Sequence, residues 1–406
     1  MSDLPAIEGG KPTRLTPLRF RPWITDEDIN LVVDVLRSGQ LSAIGGKWNA
    51  LLEQELTKYL GVKYAITVSN GTTALHVALK AIGVGPGDEV ITTPFTFAAS
   101  ATTILHANAI PIFADIDRET LNIDPASVEE VITDRTKAVV VVHLAGYPAE
   151  MDEIMKIANE RGLYVIEDTA QALGAIYRGR MVGSIGHVGT LSFYPTKTIT
   201  TGEGGAVVTS DADIANRARL LRSHGETGKY YYELLGYNYR MTEFQAALGY
   251  SQLRRIEEII RRKEEFAKVL MEELRDVEND LIQFPRPKPY IRHAWHLFQV
   301  ILNLEKLRVG RDRVVEALRA EGIEAATVAY PIPLHKEPII TNMMGHGKGC
   351  PWTCPYYGRK VTYKPLPNAE WAAERVVTIL IGPLYTTEDA VDTANAIKKV
   401  LNYYRK

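Results

Sequence analysis

The chain has 406 residues, a length that favours two domains over a single small core. Its 47 lysines and arginines nearly balance its 49 aspartates and glutamates, so the net charge of −2 argues against a general attraction to nucleic acid or anionic membranes. No stretch approaches the ~20 apolar residues of a membrane span, and the N-terminal segment lacks the apolar core of a secretory signal. Two cysteines cannot build a disulfide framework. Together these observations predict a cytoplasmic protein.

Short, β-branched runs alternate with helical patterns through the first 210 residues. The predicted strands are 64–69, 89–95, 111–117, 137–146, 164–168, 188–194 and 206–210. Most are apolar throughout, as in strands that helices cover on both faces. Strands alternating with helices predict a mainly parallel, layered α/β sheet. The last two runs are too close for a helical crossover, so we expect them to pair antiparallel.

A long helical pattern follows, from about residue 243 to residue 275. Its apolar stripe is predicted to consist of Leu253, Ile256, Ile260, Ala267, Leu270 and Leu274. The intervening RRKEEF (261–266) is predicted to be the solvated face. This helix leads into a smaller α+β domain with a strand in 293–302 and helices in 312–322 and 386–404. We therefore expect a large domain at 1–255, including the N-terminal segment, and a small one at 256–406.

The first motif with chemical meaning is SNGTTALHVAL (69–79), where a strand ends and a helix begins. Unpaired N–H groups at a helix start, with hydroxyls beside them, form an anion site, and Gly71 allows the backbone to approach a phosphate. The alternative is simple helix capping by Ser69, Asn70 or Thr72. The motif alone does not separate the two interpretations.

The second motif is VIEDTAQALGA (165–175), a buried strand that ends in the carboxylate pair Glu167 and Asp168. The carboxyl ends of strands are where open α/β sheets bind ligands. A carboxylate there can hold a protonated ring nitrogen through a charge-assisted hydrogen bond. The alternative is an N-cap for a following helix.

The third motif is SFYPTKTITTGEGG (192–205), which places Lys197 between two buried strands. The lysine is either a surface residue or a buried amine kept for chemistry. A phosphate site, a strand-end carboxylate and a lysine together meet the needs of pyridoxal 5'-phosphate, whose aldehyde forms a Schiff base with a lysine. The glycines indicate a tight reversal that larger residues would strain or crowd, and the threonines are expected to bond backbone groups in it.

Together the motifs resemble one family. The chain is similar to the DegT/StrS-type sugar aminotransferases over roughly residues 15 to 400, through VSNGTTALHVAL, TPFTFAASA, PIFADID, IEDTAQALGA, SFYPTKTITTGEGG and GYNYRMTEFQAALG. The resemblance implies the fold type I (aspartate aminotransferase) architecture of the α/β class. Its large domain has a mixed, mainly parallel sheet sandwiched by helices, and its smaller C-terminal domain is α+β.

The resemblance also implies site residues. Lys197 matches the catalytic lysine that anchors the cofactor, Asp168 the partner of its ring nitrogen, and Gln171 a position near its phenolic oxygen. The matched phosphate-binding positions are Gly71, Thr72, Thr73 and Ser192.

Three further positions are matched outside residues 69–79, 165–175 and 192–205. Phe97 matches an aromatic that stacks on the cofactor ring, the alternative being an ordinary core phenylalanine. Asn238 matches a residue that reaches the phosphate from the neighbouring subunit, which implies a homodimer with shared active sites. His335 matches a stretch near the substrate pocket. The other histidines considered are predicted to be structural: His143, His224, His293 and His296.

The function implied is transamination from L-glutamate or L-glutamine to a keto sugar, with a nucleotide-linked keto-deoxysugar as the expected acceptor. Neither nucleic acid nor a membrane is expected as a partner. One alternative is a sugar dehydratase, a lyase that carries histidine in place of the lysine; the other is a non-catalytic regulatory protein of the same fold. Retention of Lys197 and Asp168 argues against both.

The segment 345–365 departs from the family pattern. Cys350, Cys354 and His346 could contribute to a zinc site, but such a site needs about four ligands. The preferred interpretation is a loop rich in proline and tyrosine that shapes specificity, and no metal is predicted.

Overall fold

The computed structural model describes residues 4–406, and all of the following concerns that range. The helices are α1 (Asp26–Ser38), α2 (Trp48–Leu60), α3 (Gly71–Ala81), α4 (Ala99–His106), α5 (Pro125–Glu130), α6 (Met151–Arg161), α7 (Ala212–Arg222), α8 (Glu243–Arg254), α9 (Ile256–Glu273), α10 (Arg311–Ala320), α11 (Pro338–Thr341), α12 (Pro367–Arg375) and α13 (Thr387–Tyr404). The strands are β1 (Tyr64–Val68), β2 (Glu89–Thr92), β3 (Ile110–Phe113), β4 (Thr136–Val142), β5 (Tyr164–Asp168), β6 (Ile176–Tyr177), β7 (Arg180–Met181), β8 (Val188–Ser192), β9 (Gly205–Thr209), β10 (Glu226–Gly228), β11 (Tyr231–Tyr232), β12 (Ile282–Gln283), β13 (Ile291–Arg292), β14 (Leu297–Leu302), β15 (Ala326–Thr327) and β16 (Val376–Leu380).

All seven strands predicted in the first 210 residues form one sheet, in the order β1-β9-β8-β5-β4-β2-β3. β9 runs antiparallel to both of its neighbours, β1 and β8, and the remaining pairs are parallel. The predicted antiparallel pairing of the last two strands is thereby confirmed. The mixed, mainly parallel sheet of the predicted fold class is present.

Helices cover this sheet on both faces, which explains why its strands are apolar throughout. On one face, Ile66, Val140 and Val207 pack with residues of α3 and α7. On the other, the side chains that alternate with them pack against α5 and α6 at one end and against α2 and α8 at the other. The loops that leave the carboxyl ends of the parallel strands therefore meet at one rim of a rigid layer.

A second, antiparallel sheet has the order β12-β14-β16-β15. Its core is shared with α9, α10 and α13, and it includes Phe298, Leu318, Ile379 and Ile397. The predicted strand in 293–302 corresponds to β14, and the predicted helices correspond to α10 and α13.

The predicted helix over 243–275 is two helices, since the chain bends at Arg255 between α8 and α9. α9 joins the two cores: Ile256 and Ile260 pack with the large sheet, whereas Leu270 packs with the small one. The prediction that RRKEEF is solvated is wrong for two of its residues, because Lys263 is 0 % exposed and Phe266 is 1 % exposed. The domain division at residue 256 stays a prediction, since α9 belongs to both cores.

The segment 345–365 covers the edge of the large sheet. Trp352 and Tyr357 pack with Phe113 of β3, and the Tyr363 hydroxyl donates to the Pro111 carbonyl at 3.0 Å. His346 Nε2 lies 2.8 Å from the Leu105 carbonyl. No group of three His, Cys, Asp or Glu side chains suited to a metal ion is found between residues 4 and 406. Over the same range, no helix has both the length and the apolarity needed to cross a membrane.

Candidate active site

A cavity of about 770 Å³ opens at the carboxyl ends of β1, β2, β5 and β8. Its lining includes most of the predicted site residues: Gly71, Thr72, Thr73, Phe97, Asp168, Gln171, Ser192 and Lys197. The strand order explains this convergence, because the loops after parallel strands share one rim of the sheet. Residues more than 120 positions apart in the chain thus reach one volume.

Lys197 lies on the chain reversal between β8 and β9. Hydrogen bonds between backbone groups hold this reversal closed. The Phe193 N–H donates to the Gly204 carbonyl at 2.8 Å, and the Thr201 N–H donates to the Phe193 carbonyl at 2.9 Å. The Thr200 hydroxyl donates to the same carbonyl at 3.1 Å. The threonines therefore bond backbone groups of the turn, as predicted, and Lys197 is presented from a fixed reversal.

The glycines after the lysine are required by close approach. A β-carbon on Gly205 would lie 2.6 Å from the carbonyl oxygens of Asn70 and Leu191. Gly202 has φ +79°, in the left-handed region that favours glycine. The predicted crowding is confirmed, and it ties the turn directly to the segment that starts α3.

Lys197 lines the cavity, and the residue as a whole is half-buried. Burial lowers its pKa to about 8, and the negative charge of Asp168 acts in the opposite direction. A lysine with an ordinary pKa near 10.5 is almost fully protonated at neutral pH. Lys197 is therefore much nearer to the free amine that can act as nucleophile and base.

Asp168 ends β5 and is 6 % exposed. The Ser100 hydroxyl donates to its Oδ2 at 2.9 Å, and the Ala170 N–H donates to its Oδ1 at 3.2 Å. Burial raises its pKa, while the two hydrogen bonds and the charge of Lys197 act against that rise. A cation beside this carboxylate would be strongly favoured. Ser100, in the first turn of α4, carried no signal in the sequence that linked it to Asp168.

Glu167, the other member of the carboxylate pair, does not line the cavity. Successive strand residues point to opposite faces, so it lies on the far side of the sheet from Asp168. His143 Nδ1 accepts from the Ala149 N–H at 3.0 Å, so His143 Nε2 is the N–H that donates to Glu167 at 3.0 Å. The carboxyl group also accepts from the backbone N–H groups of Gly183, Ile185 and Gly186. Glu167 is structural, and period-two alternation could have separated the pair.

Gln171 is held by both ends of its amide. Its Oε1 accepts from the Ala145 N–H at 2.8 Å, and its Nε2 donates to the Tyr330 hydroxyl at 2.8 Å. Burial raises the pKa of Tyr330 to about 12. Tyr330 comes from the chain between β15 and α11, in the stretch matched near the substrate pocket, but the residue selected in that stretch was His335.

The start of α3 is both a capped helix end and a set of free donors suited to an anion, the two interpretations of its motif. Asn70 caps the helix: its side chain accepts from the Thr73 N–H at 2.9 Å, and the Thr73 hydroxyl donates to the Asn70 carbonyl at 2.8 Å. The N–H groups of Gly71 and Thr72 have no acceptor within the part of the chain that the structure describes. Capping thus occupies the Thr73 hydroxyl and leaves two N–H groups for an anion.

Ser192 packs directly against Gly71. A β-carbon on Gly71 would lie 2.7 Å from the Ser192 Cβ, so only glycine fits there without movement. This contact places the Ser192 side chain beside the free N–H groups at the start of α3. Hydroxyl and N–H donors therefore face the same end of the cavity.

Phe97 is 64 % exposed although it is a large apolar residue. It lines the cavity and does not belong to a core cluster, which removes the core-phenylalanine alternative. His76 also lines the cavity and was missed from the sequence. It is buried on α3, its Nδ1 lies 3.2 Å from the Tyr239 hydroxyl, and burial lowers its pKa to about 4.

Asn238 and His335 are not brought to the cavity. Asn238 is exposed beside an isolated bridge to Ser223, so its predicted contact with a neighbouring subunit stays a prediction. His335 is buried between Phe113 and α12, and its Nε2 lies 3.1 Å from Glu370. Within one chain, this geometry provides no substrate contact for His335.

The donor set fits pyridoxal phosphate. Free N–H groups at the start of α3 with the hydroxyls of Thr72 and Ser192 suit a phosphate. Phe97 offers an exposed face for a ring, and the buried carboxylate of Asp168 suits a protonated ring nitrogen. Lys197 supplies the amine.

Comparison with known proteins agrees with this geometry. A sequence model of the DegT/DnrJ/EryC1/StrS aminotransferase family matches residues 22–398. An uncharacterized protein of Methanocaldococcus jannaschii is 41% identical over 398 residues, which cover 95% of this chain and 98% of that protein. The GDP-perosamine synthase of Caulobacter vibrioides is 39% identical over 338 residues, which cover 82% of this chain and 86% of that enzyme. A solved aminotransferase structure from Psychrobacter cryohalolentis matches with a TM-score of 0.85 at 33% identity, covering 96% of this chain and 100% of that one.

Proposed function

Because the chain belongs to the DegT/DnrJ/EryC1/StrS aminotransferase family, we propose that its cavity transfers an amino group from L-glutamate or L-glutamine to a nucleotide-linked keto sugar. The chain is a sugar aminotransferase that depends on pyridoxal phosphate, and its reactants are an amino donor and a keto sugar. The nucleotide linkage is supported by the GDP-perosamine synthase among its relatives. The donor is proposed from the resemblance alone.

One observation supports these roles for the site residues above all others. Lys197, Asp168 and the start of α3 line a single cavity, although they come from three separate segments of the chain. Each has the chemical state that its role requires: a lysine whose pKa burial lowers to about 8, a buried carboxylate, and two N–H groups without an acceptor between residues 4 and 406. Convergence of perturbed groups in a cavity is the usual mark of an active site.

When bound, pyridoxal phosphate supplies an aldehyde that carries the amino group and a ring that takes up an electron pair. Lys197 Nζ, as the free amine, removes the proton from the Cα of the amino donor and later returns a proton to the acceptor carbon. Asp168 holds a proton at the ring nitrogen, since its buried carboxylate gains from a positive partner. The N–H groups of Gly71 and Thr72 would hold the phosphate of the cofactor, and the exposed face of Phe97 would contact its ring.

The donor half of the reaction tests the role of Lys197. Purified protein loaded with pyridoxal phosphate should show a visible absorbance band that L-glutamate bleaches, with one 2-oxoglutarate formed per site. We expect Lys197→Ala to lose the bleaching and to slow 2-oxoglutarate formation by roughly 10³-fold or more. Lys268→Ala, at an exposed position of α9, is the matched control and should behave as wild type. A normal rate in Lys197→Ala would overturn the proposed role.

The acceptor is tested with the protein already converted to its amino form. Nucleotide-linked keto sugars, the same keto sugars without the nucleotide, and 2-keto acids should be compared for the rate at which they restore the visible band. We expect the nucleotide-linked sugars to be used with the highest kcat/KM. Equal use of the sugar without its nucleotide would contradict the proposed linkage.

We also infer that two subunits share each active site. Asn238 is exposed and lies outside the cavity of its own chain, as the inferred contact with a partner requires. Lys197→Ala and Asn238→Ala should each be impaired as homodimers. Mixed and reassembled, they should recover roughly a quarter of wild-type activity, because heterodimers then contain one intact site. No recovery in verified heterodimers would show that Asn238 does not act across subunits.

A further inference from the structure

Ser100 makes a contact that its own helix does not require. Hydroxyl side chains within a helix commonly bond a carbonyl of the preceding turn, as Thr103 does on α4, where it donates to the Ala99 carbonyl at 2.7 Å. The Ser100 hydroxyl instead leaves α4 and donates to Asp168 Oδ2 at the end of β5, at 2.9 Å. Solvent hardly reaches this contact, because Ser100 is 1 % exposed and Asp168 is 6 % exposed. A buried hydroxyl is thus committed to a carboxyl group on another element.

The carboxyl group of Asp168 is held at both of its oxygens. The Ala170 N–H donates to Oδ1 at 3.2 Å from the chain that follows β5, and Ser100 donates to Oδ2 from α4. A carboxylate offers about four acceptor positions, so these two bonds leave about two of them unused. Asp168 lines the cavity, whereas Ser100 lies outside its lining. The two donors therefore fix the plane of the carboxyl group from the protein side, and the unused positions are left for a group in the cavity.

The segment that supplies Ser100 also supplies Phe97. The Ser100 N–H donates to the Phe97 carbonyl at 3.2 Å, where α4 begins. Phe97 lines the same cavity with an exposed ring. One short stretch, residues 97–100, thus joins an aromatic face to the carboxyl group of Asp168. The relative placement of the two is set by a single turn of the chain.

The titratable groups that face Asp168 come from three elements: Lys197 from the turn after β8, His143 from the residue after β4, and Tyr330 from the chain after β15. Burial raises the pKa of Asp168, and the hydrogen bond from Ser100 opposes that rise more strongly than the charge of Lys197 does. Tyr330 is neutral near pH 7, since burial raises its pKa to about 12. Loss of the Ser100 hydroxyl should therefore make Asp168 harder to ionise.

We propose that Ser100 is a positioning residue for Asp168: its hydroxyl, donated from α4, fixes the carboxyl group and keeps it ionised for a protonated ring nitrogen in the cavity. This inference rests on the proposed function of Asp168 as the partner of the ring nitrogen of pyridoxal phosphate. Ser100 acts through Asp168 alone, because it lies outside the lining of the cavity. Its substitution should therefore have little effect on the cofactor once Asp168 carries no charge.

The first measurement follows the ionisation of Asp168 in the full-length chain without cofactor. The free energy of unfolding is measured in urea from pH 4 to 9 for wild type, Ser100→Ala, Asp168→Asn and the double variant. Ser100→Ala removes the hydroxyl and adds no volume, so packing is preserved. Thr103→Val is the matched control, because it removes a buried hydroxyl of the same helix that bonds the Ala99 carbonyl instead of Asp168.

The loss of one hydrogen bond to a charged acceptor should raise the pKa of Asp168 by about one to two pH units. Folded Ser100→Ala then keeps its proton at pH values where wild type has released it. Its unfolding free energy relative to wild type should fall as pH rises through that interval. The same substitution in Asp168→Asn should give a difference that does not change with pH, and Thr103→Val should follow the profile of wild type.

A difference between Ser100→Ala and wild type that stays constant from pH 4 to 9 overturns the proposal, because a hydroxyl with a merely structural role would give that result. The second measurement is the equilibrium binding of pyridoxal phosphate at pH 8. We expect Ser100→Ala to weaken binding roughly 10-fold in wild type and to have little effect in Asp168→Asn. Equal weakening in the two backgrounds would also overturn the proposal.

The failure of this inference can be told apart from failure of the proposed function. If Asp168→Asn weakens cofactor binding while Ser100→Ala leaves the pH profile of wild type unchanged, only the role of Ser100 is lost. If Asp168→Asn binds pyridoxal phosphate as tightly as wild type, the proposed role of Asp168 is lost and that of Ser100 falls with it.

Discussion

Replacement of Glu167 by glutamine tests how the large sheet holds the loop beneath the site. The carboxyl group of Glu167 is 0 % exposed and accepts four hydrogen bonds. Oε1 accepts from the N–H groups of Ile185 and Gly186, each at 2.6 Å, and Oε2 accepts from Gly183 at 2.8 Å and from His143 at 3.0 Å. The volume hardly changes in Glu167→Gln, so packing is preserved while one acceptor becomes an NH₂ donor.

The magnitude follows from counting donors. The glutamine oxygen can serve one pair of donors, and its NH₂ must then face the other pair. The tautomer of His143 gives no relief, because its Nδ1 is already bonded to the Ala149 N–H. Each hydrogen bond to a charged group contributes about 1.5–3 kcal/mol, so two lost bonds cost about 3–6 kcal/mol. That loss is a large part of the about 5–15 kcal/mol that separates native from unfolded domains.

The assay is urea-induced unfolding followed by circular dichroism at pH 7, with midpoint and slope compared between variants. Glu160→Gln, at an exposed site on α6, is the matched control and should stay within about 0.5 kcal/mol of wild type. A loss of less than about 1 kcal/mol in Glu167→Gln would refute the reasoning. It would mean that the loop at 183–186 does not depend on this carboxyl group.

Three further outcomes are expected. Gly71→Ala should weaken pyridoxal phosphate binding by roughly an order of magnitude, because the added β-carbon would lie 2.7 Å from the Ser192 Cβ. In a binding titration, the double variant Gly71→Ala, Ser192→Gly should recover part of that loss. Strictly additive effects of the two substitutions would contradict the contact. Asp168→Asn should raise the melting temperature of the cofactor-free protein at pH 7 while weakening cofactor binding. Burial raises the pKa of Asp168, so stability is lost as pH rises through the folded-state value, and an unchanged melting temperature would contradict this. Lys263 has a folded-state pKa of about 7, below its usual 10.5, so the unfolded chain binds more protons between these values. As pH rises from 7 to 10, the unfolding free energy of wild type should therefore increase by about 1.4 kcal/mol per pH unit relative to that of Lys263→Met. Urea titrations at each pH measure this difference. Parallel profiles of unfolding free energy against pH would contradict the burial of that charge.

Much of the site was predictable because its chemistry is carried by local motifs. Lys197 with its glycines, Asp168 at a strand end and Gly71 at a helix start each combine a turn or cap with a reactive group within about a dozen residues. Parallel strands then place such loops on one rim, so a correct strand list already brings them together. Phe97 was matched by resemblance, and its exposure in the cavity supports that match.

Two environments that sequence reasoning did not identify depend on distant partners. His335 was assigned to the substrate pocket, but it packs beside Glu370 of α12. Tyr330 was overlooked, since its contact with Gln171 joins residues 159 positions apart. In each case the deciding contact is set by packing between elements and leaves no periodic signal in the chain.

The amino-acid sequence by itself determined the seven apolar strands, the antiparallel return after Lys197 and the identity of the reactive groups, because these depend on side-chain periodicity and on turn residues. Only the tertiary structure decided the environment of those groups. Helical spacing alone left Lys263 on a polar stretch, and the meeting of two cores along α9 buried it. Burial depends on everything that packs against a residue, and for an ionisable group it sets the pKa and hence the chemistry.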